Sequence, residues 1–257
     1  MAPAEEREAL FAFLAFNSEI ARIREIVHEP LLGHMRLAWW RDSLDGVFEG
    51  RPERHDILEA LSNAVHRFGL SRQPFERLIE ARAFDLDDVA PATMEALESY
   101  AEGTASTLQQ LQLEVLGAHR PDAVEAARHL GIAWAVTGLI RAVPFHAAGH
   151  RCYLPADLCR DAGLELEGLY AEQARPALRH VLAALAKTAR SHLGSARKNR
   201  RVIPKRAVPA MLPGVLADHY LKRLERAGFD PFSARTDRLG PTGLVRLFWK
   251  GSIRRSY

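Results

Sequence analysis

The sequence predicts an all-α fold, a helical bundle built as one domain over residues 1–257, and three observations predict it. Apolar residues recur at helical spacing along most of the chain, no stretch reads as a run of paired strands, and the connections between the periodic segments are short. Proline and glycine punctuate the pattern at the positions where helices start and stop.

Phe13, Phe16, Ile20, Ile23 and Val27 fall on one face of a first helix. Pro30 suits the first turn of a second, which carries Leu31, Met35, Trp39 and the run WWRDSLDGVF and ends near Gly50. Further helices are predicted over about 53–68, 72–84, 92–118, 121–148, 174–198 and 206–227, with a short one near the C-terminus. Gly69, Gly117, Gly163 and Gly228 stand where C-terminal caps are needed. Pro144 predicts a kink or an early end to the helix that holds it.

Hydrophobic residues make up 47% of the chain and charged residues 26%, enough apolar surface for a substantial core and no ground for wholesale disorder. Lys and Arg outnumber Asp and Glu by 35 to 32, an excess too small to indicate a nucleic-acid partner. The distribution is less even. Arg197, Lys198, Arg200, Arg201, Lys205 and Arg206 crowd one segment and Lys250, Arg254 and Arg255 lie at the C-terminus, either as a solvated basic face or as a surface for anionic lipid or an acidic partner. Cys152 and Cys159 cannot make a disulfide framework, and their spacing is not that of a zinc knuckle, which fits a reducing compartment. The N-terminus MAPAEEREALFAF is unlike a secretory or transit signal, and no run approaches the roughly 18 apolar residues of a membrane span, so membrane contact is expected to be peripheral.

Residue chemistry alone is sparse. Asp85, Asp87 and Asp88 in AFDLDDVAPAT read either as an acidic metal site or, more simply, as helix-end capping before Pro91. Asp42 and Asp45 share a helix face with Arg41 close by, a pattern of surface ion pairs. His146 and His150 have i, i+4 spacing but no third ligand, and Pro144 and Gly149 argue against a regular helix through them. No nucleophile elbow, phosphate loop or dinucleotide fingerprint is present.

Taken together and in order, EALFAFLAFNSEIARI, RLAWWRDSLDGVFEG, YAEGTASTLQQLQLEVLG, GIAWAVTGLIRAVPFHAAGHRCYLPADL and IPKRAVPAMLPGVLADHYLKRLERAGFDPF resemble the squalene/phytoene synthase family across nearly the whole chain. The resemblance implies an isoprenoid-synthase fold, with helices around a central cavity. It also implies, for active members, head-to-head joining of two prenyl diphosphates. That chemistry needs hard oxygen ligands for Mg²⁺, which neutralises the departing diphosphate, and two Asp-rich motifs on facing helices supply them.

Both motifs are degenerate here. The first should fall at Ala21, Arg22 and Glu25, where only Glu25 is acidic. The second, Q-L-T-N-I-L-R-D-V-G-E-D, aligns with AVTGLIRAVPFH, so that Ala135, Gly138, Ala142 and His146 replace its Gln, Asn and two Asp. These positions form one helical stripe emptied of oxygen ligands. Arg141, Arg151 and Tyr153, the last two in an R-x-Y-L-P stretch, do match the family. They are candidates for a phosphate or lipid head group, since Arg can fork onto phosphate without metal, although ion pairing and loop packing would serve them equally.

The stretches AFNSEIARI, MRLAWWRD, LDD, YAEGTASTL, RAVPFHAAGHRCYLP and the terminal RRSY are similar to the branch of this family that includes an assembly factor for respiratory complex I, the NADH:ubiquinone oxidoreductase. That similarity implies a non-catalytic scaffold with complex I subunits or assembly intermediates as partners and no cofactor. Its implied place is the cytoplasm of a bacterium, peripheral on the inner membrane, or the matrix side of a mitochondrion. Two alternatives stay open. One is a Mg²⁺-dependent prenyltransferase using substitute carboxylates such as Glu19, Glu25, Asp85 or Asp88; the other is a binder of prenyl or other phosphate-bearing lipids.

Overall fold

A computed structural model describes residues 4–27, 29–87, 89–165 and 171–233. Every regular element among them is helical. The amphipathic pattern of the first segment forms α1 (Ala4–Ile26), which buries Phe13, Phe16, Ile20 and Ile23 as its spacing requires. Pro30 opens α2 (Pro30–Phe48). His55 caps α3 (Asp56–Phe68), its Nδ1 accepting the Ile57 N–H at 3.2 Å, and α4 (Gln73–Arg82) runs into a short 3₁₀ turn, Ala83–Leu86.

These elements share one apolar core. Phe16 meets Trp40 edge-on at 5.4 Å between ring centroids and Phe13 meets Phe75 at 5.9 Å, the offset geometry that aromatic quadrupoles favour. Fully burying each such ring contributes roughly 2–3 kcal/mol before entropy is counted.

A second core gathers the rest. The predicted helix 92–118 is in fact three pieces: α5 (Met94–Ala101), a π turn over Glu102–Ser106, and α6 (Thr107–Val115). The π turn is a tertiary effect. Gly131 packs so closely on Ser106 that a Cβ there would lie 2.2 Å from the Ser106 Cα, and the Ser106 hydroxyl donates to the Arg128 carbonyl at 2.6 Å. α6 then joins the two cores, burying Leu111 and Val115 in the first and Leu113 in the second.

The central element is α7 (Pro121–Ala148), followed by α8 (Ala156–Asp161), α9 (Arg175–Lys198), the single turn α10 (Val208–Met211) and α11 (Pro213–Arg226). α9 runs antiparallel to α11, since Arg190 pairs with Glu225 and Arg197 with Asp218. α8 has no counterpart among the predicted helices. The expected glycine caps are in place, with φ of 63° at Gly69, 70° at Gly117, 67° at Gly163 and 63° at Gly228.

Two expectations are corrected by α7. The helix runs through Pro144 to Ala148. The missing N–H falls in its last turn, where buried Ile140 and Val143 hold the backbone and the Gly149 N–H still closes on the Phe145 carbonyl. α7 is also long and apolar enough by composition to cross a membrane, which the sequence reading did not foresee. Its burial between α5, α6, α9 and α11 is what a core helix requires.

Candidate functional site

Between the two cores lies a cavity of about 340 Å³. α7 supplies one wall with Trp134, Ala135, Gly138, Leu139, Ala142 and His146. α1, the end of α4, α5 and α6 supply the facing side with Leu14, Asn17, Arg82, Tyr100, Leu108, Gln109 and Gln112. The four positions aligned with the second Asp-rich motif therefore do face a cavity, His146 included, because α7 stays helical past Pro144. Apart from His146, their side chains offer no polar atom.

The first motif sits differently. Arg22 and Glu25 are exposed and Ala21 is partly exposed, and none of the three lines the cavity. Of the substitute carboxylates, Glu19 is partly exposed and does not line the cavity, Glu25 is exposed, Asp85 is buried and Asp88 lies outside the described residues; Asp87, beside them, is exposed.

Asp85 is the centre of a polar knot at the edge of the cavity. Its Oδ1 accepts from Tyr100 Oη at 2.8 Å and Tyr153 Oη at 2.9 Å, and its Oδ2 accepts from Arg82 at 3.1 Å. Arg82 also donates to Tyr100 Oη at 2.8 Å and to Asn17 Oδ1 at 3.3 Å. This corrects the reading of Asp85 as a local cap: two of its three partners come from α5 and from the loop after α7. Burial disfavours the Arg82 cation, but the Tyr100, Asp85 and Tyr153 oxygens outweigh it and hold the pKa above the ordinary guanidinium value. Burial pushes the Tyr100 phenol well above its ordinary range, and burial and Asp85 raise Tyr153 likewise, so both phenols stay protonated donors.

Tyr153 also packs against His146, with centroids 4.6 Å apart and ring planes inclined by 39°. Burial, and then the Arg151 charge, press the His146 pKa down to about 4 against a weaker pull from Asp85, which leaves the imidazole neutral at physiological pH. His150 lies beyond the helix end, exposed, at φ 52°.

The structure brings Arg151 and Tyr153 to this end of the molecule, Arg151 reaching across to the Arg24 carbonyl at 3.0 Å. Arg141 is placed apart from them. It points to α11, its guanidinium 3.7 Å above the Tyr220 ring in a crevice shared with Thr137, Ile140 and Leu224. Cys159 is buried and its thiol is pushed up to about 12 by burial, which suits packing better than nucleophilic chemistry.

Mg²⁺, implied by the family resemblance, does not fit these residues. The α7 wall supplies no carboxylate, the buried carboxylate nearest the cavity is matched to Arg82 and two phenols, and among the described residues no three His, Cys, Asp or Glu side chains converge. Sequence reasoning missed Arg82, Tyr100 and Asn17. The i, i+3 spacing of Arg82 and Asp85 was the one local signal available.

Comparison with known proteins agrees with this architecture. The family model described as squalene/phytoene synthase matches residues 1–244. NADH dehydrogenase (ubiquinone) complex I, assembly factor 6, of Bos taurus is 35% identical over 251 residues, covering 96% of this chain and 75% of the relative. A presqualene diphosphate synthase of Rhodopseudomonas palustris is 28% identical over 224 residues, 87% of this chain and 79% of the enzyme. A crystal structure of a dehydrosqualene synthase in complex with ligand superposes with a TM-score of 0.84 at 22% identity, over 97% of this chain and 87% of that one, which establishes the all-α isoprenoid-synthase fold. The chain belongs to the squalene/phytoene synthase family.

Proposed function

We propose that this protein is a non-catalytic squalene/phytoene synthase family member that assists assembly of respiratory complex I and acts where that complex is built, at the inner face of the energy-transducing membrane. The observation that carries the reading is the α7 wall: Ala135, Gly138, Ala142 and His146 face the cavity in place of oxygen ligands. The identity shared with a protein named as a complex I assembly factor supports the choice of client. With no cluster of Mg²⁺ ligands among the described residues, charge on a departing diphosphate has little to balance it there, and a fold can persist for binding after its chemistry has gone. Deleting the gene should lower assembled complex I on native gels, with restoration by the intact chain; normal levels in the deletion strain would remove the reading.

Membrane docking is part of the same proposal. Lys198, Arg200, Arg201, Lys205 and Arg206 are exposed, while Arg197 is drawn into its ion pair with Asp218. Near an anionic surface each exposed cation contributes about 1 kcal/mol. Pelleting with vesicles should rise with anionic lipid content and fall when these residues are neutralised. The C-terminal Lys250, Arg254 and Arg255 lie outside the described residues.

The cavity, together with the likeness to a presqualene diphosphate synthase, favours a rival reading in which prenyl diphosphates still bind and condense. Incubation with farnesyl diphosphate and Mg²⁺ separates the two. A condensed product would establish the enzyme. Binding without turnover would support a carrier of prenyl or other phosphate-bearing lipids, with Arg151 and Tyr153 nearest the head group.

A further inference from the structure

Away from the cavity, the early part of α7 and the late part of α9 bring two imidazoles together. His129 Nδ1 lies 2.8 Å from His192 Nδ1, with ring centroids 4.9 Å apart and planes inclined by 52°. The opposite nitrogens each face a carboxylate. His129 Nε2 is 3.1 Å from Glu125 Oε1, one turn earlier on α7, and His192 Nε2 is 3.4 Å from Glu98 Oε1 on α5.

A carboxylate can only accept, so it draws the single N–H of a neutral imidazole to Nε2 and leaves Nδ1 as a bare lone pair. Each ring has a carboxylate beside Nε2 that favours this tautomer. Two lone pairs at 2.8 Å repel unless an electrophile lies between them. A proton can take that place as well, when one ring moves its N–H to Nδ1 and gives up the contact of its Nε2 with the carboxylate.

We propose that His129 and His192 form an open site for a first-row transition-metal dication such as Zn²⁺, Ni²⁺ or Cu²⁺, with the two Nδ1 atoms as ligands and Glu125 and Glu98 as outer-shell carboxylates. Carboxylates on the far nitrogens orient ligating imidazoles and raise their basicity. Metal–imidazole bonds of about 2.0–2.1 Å in tetrahedral array set the two nitrogens roughly 3.3 Å apart, about 0.5 Å beyond the present 2.8 Å and within reach of small ring rotations. The side chains are 21% and 13% exposed, so an ion can enter from solvent and water can complete its coordination. With no third His, Cys, Asp or Glu converging among the described residues, the site is exchangeable and not structural. The backbones that present the rings are held by buried Leu130 and Ala133 on α7 and Ala189 and Leu193 on α9, so a bound ion would clamp these two helices. Such a site does not depend on whether the chain serves complex I.

Calorimetric titration of the chelator-stripped full chain with Zn²⁺ and Ni²⁺ tests it, alongside His129→Ala, His192→Gln and Glu98→Gln, with circular dichroism to verify folding. One equivalent should bind to the wild type. Either histidine substitution should weaken it by well over about tenfold and Glu98→Gln by about tenfold. The electron paramagnetic resonance spectrum of bound Cu²⁺ should show two imidazole nitrogens, reduced to one in either histidine variant. No saturable binding by the wild type would overturn the proposal, and so would binding unchanged in both histidine variants, which would place the metal elsewhere among the eleven histidines.

Discussion

The two sides of the cavity spend their side chains in opposite ways. On α7, Ala135, Gly138 and Ala142 present the cavity with little more than methyl groups and backbone. Across from them, Arg82, Asp85, Tyr100 and Tyr153 concentrate charge and hydrogen bonding into a buried knot. The difference teaches that most of the polarity remaining near the cavity is spent within the knot, where the Asp85 carboxylate, both phenols and the Arg82 terminal nitrogens pair with one another and only the buried Arg82 Nε is left without a partner.

Breaking the knot should have the largest effect. Asp85→Asn keeps the shape but removes the charge that balances Arg82, whose side chain is 16% exposed. Stripping one partner from a largely buried pair costs about 3 kcal/mol or more. Urea unfolding should show a loss of that order. A loss under about 1 kcal/mol, the range of an exposed pair, would mean that the knot is solvated and the contrast between the walls is false.

The next effect lies on α7 itself, seven residues before the emptied stripe reaches its own glycine. Gly131→Ala drives a methyl to 2.2 Å from the Ser106 Cα and 2.4 Å from its backbone nitrogen, which neither helix can yield without separating. Overpacking of this kind costs about 2 kcal/mol. A thermal midpoint unchanged from wild type would show that the π turn can give way.

These two sites also mark what was legible in the sequence. Apolar periodicity, Pro30 and the capping glycines placed most helices within a few residues, since those signals are local. The π turn is imposed by Gly131 against Ser106 from another helix, and nothing in EGTAS announces it. Asp85 read as a cap because its decisive partners, Tyr100 and Tyr153, lie 15 and 68 residues away. The stripe 135, 138, 142 and 146 was legible because helical geometry alone puts it on one face, whereas Arg141 could not be separated from Arg151 and Tyr153 until Tyr220 was seen beneath it.

His146 stands where the two walls meet, and it makes the comparison sensitive to pH. Its folded pKa of about 4 lies below the ordinary 6.5, so the unfolded chain takes up a proton there first. Its contribution is therefore complete above about pH 6.5 and is lost as pH falls toward 4. Discounted for partial exposure, wild type should lose about 1 kcal/mol more than His146→Phe between about pH 7.5 and pH 5. Parallel pH profiles would mean that the ring is hydrated and can charge freely.

The smallest expected effect has the opposite sign. At Gly138 an added Cβ meets nothing within 4 Å, because that position opens on the cavity, and φ there is an ordinary helical value. Gly138→Ala should stabilise the protein by about 0.5–1 kcal/mol through helix propensity alone. The same substitution, on the same helix, is thus expected to raise stability at 138 and lower it at 131. If Gly138→Ala were destabilising instead, the cavity would have to be narrower than its walls imply, closed against α7 by the side chains across it. An apolar lipid tail would then have no room beside residue 138, and the assembly reading would gain over the lipid-binding one.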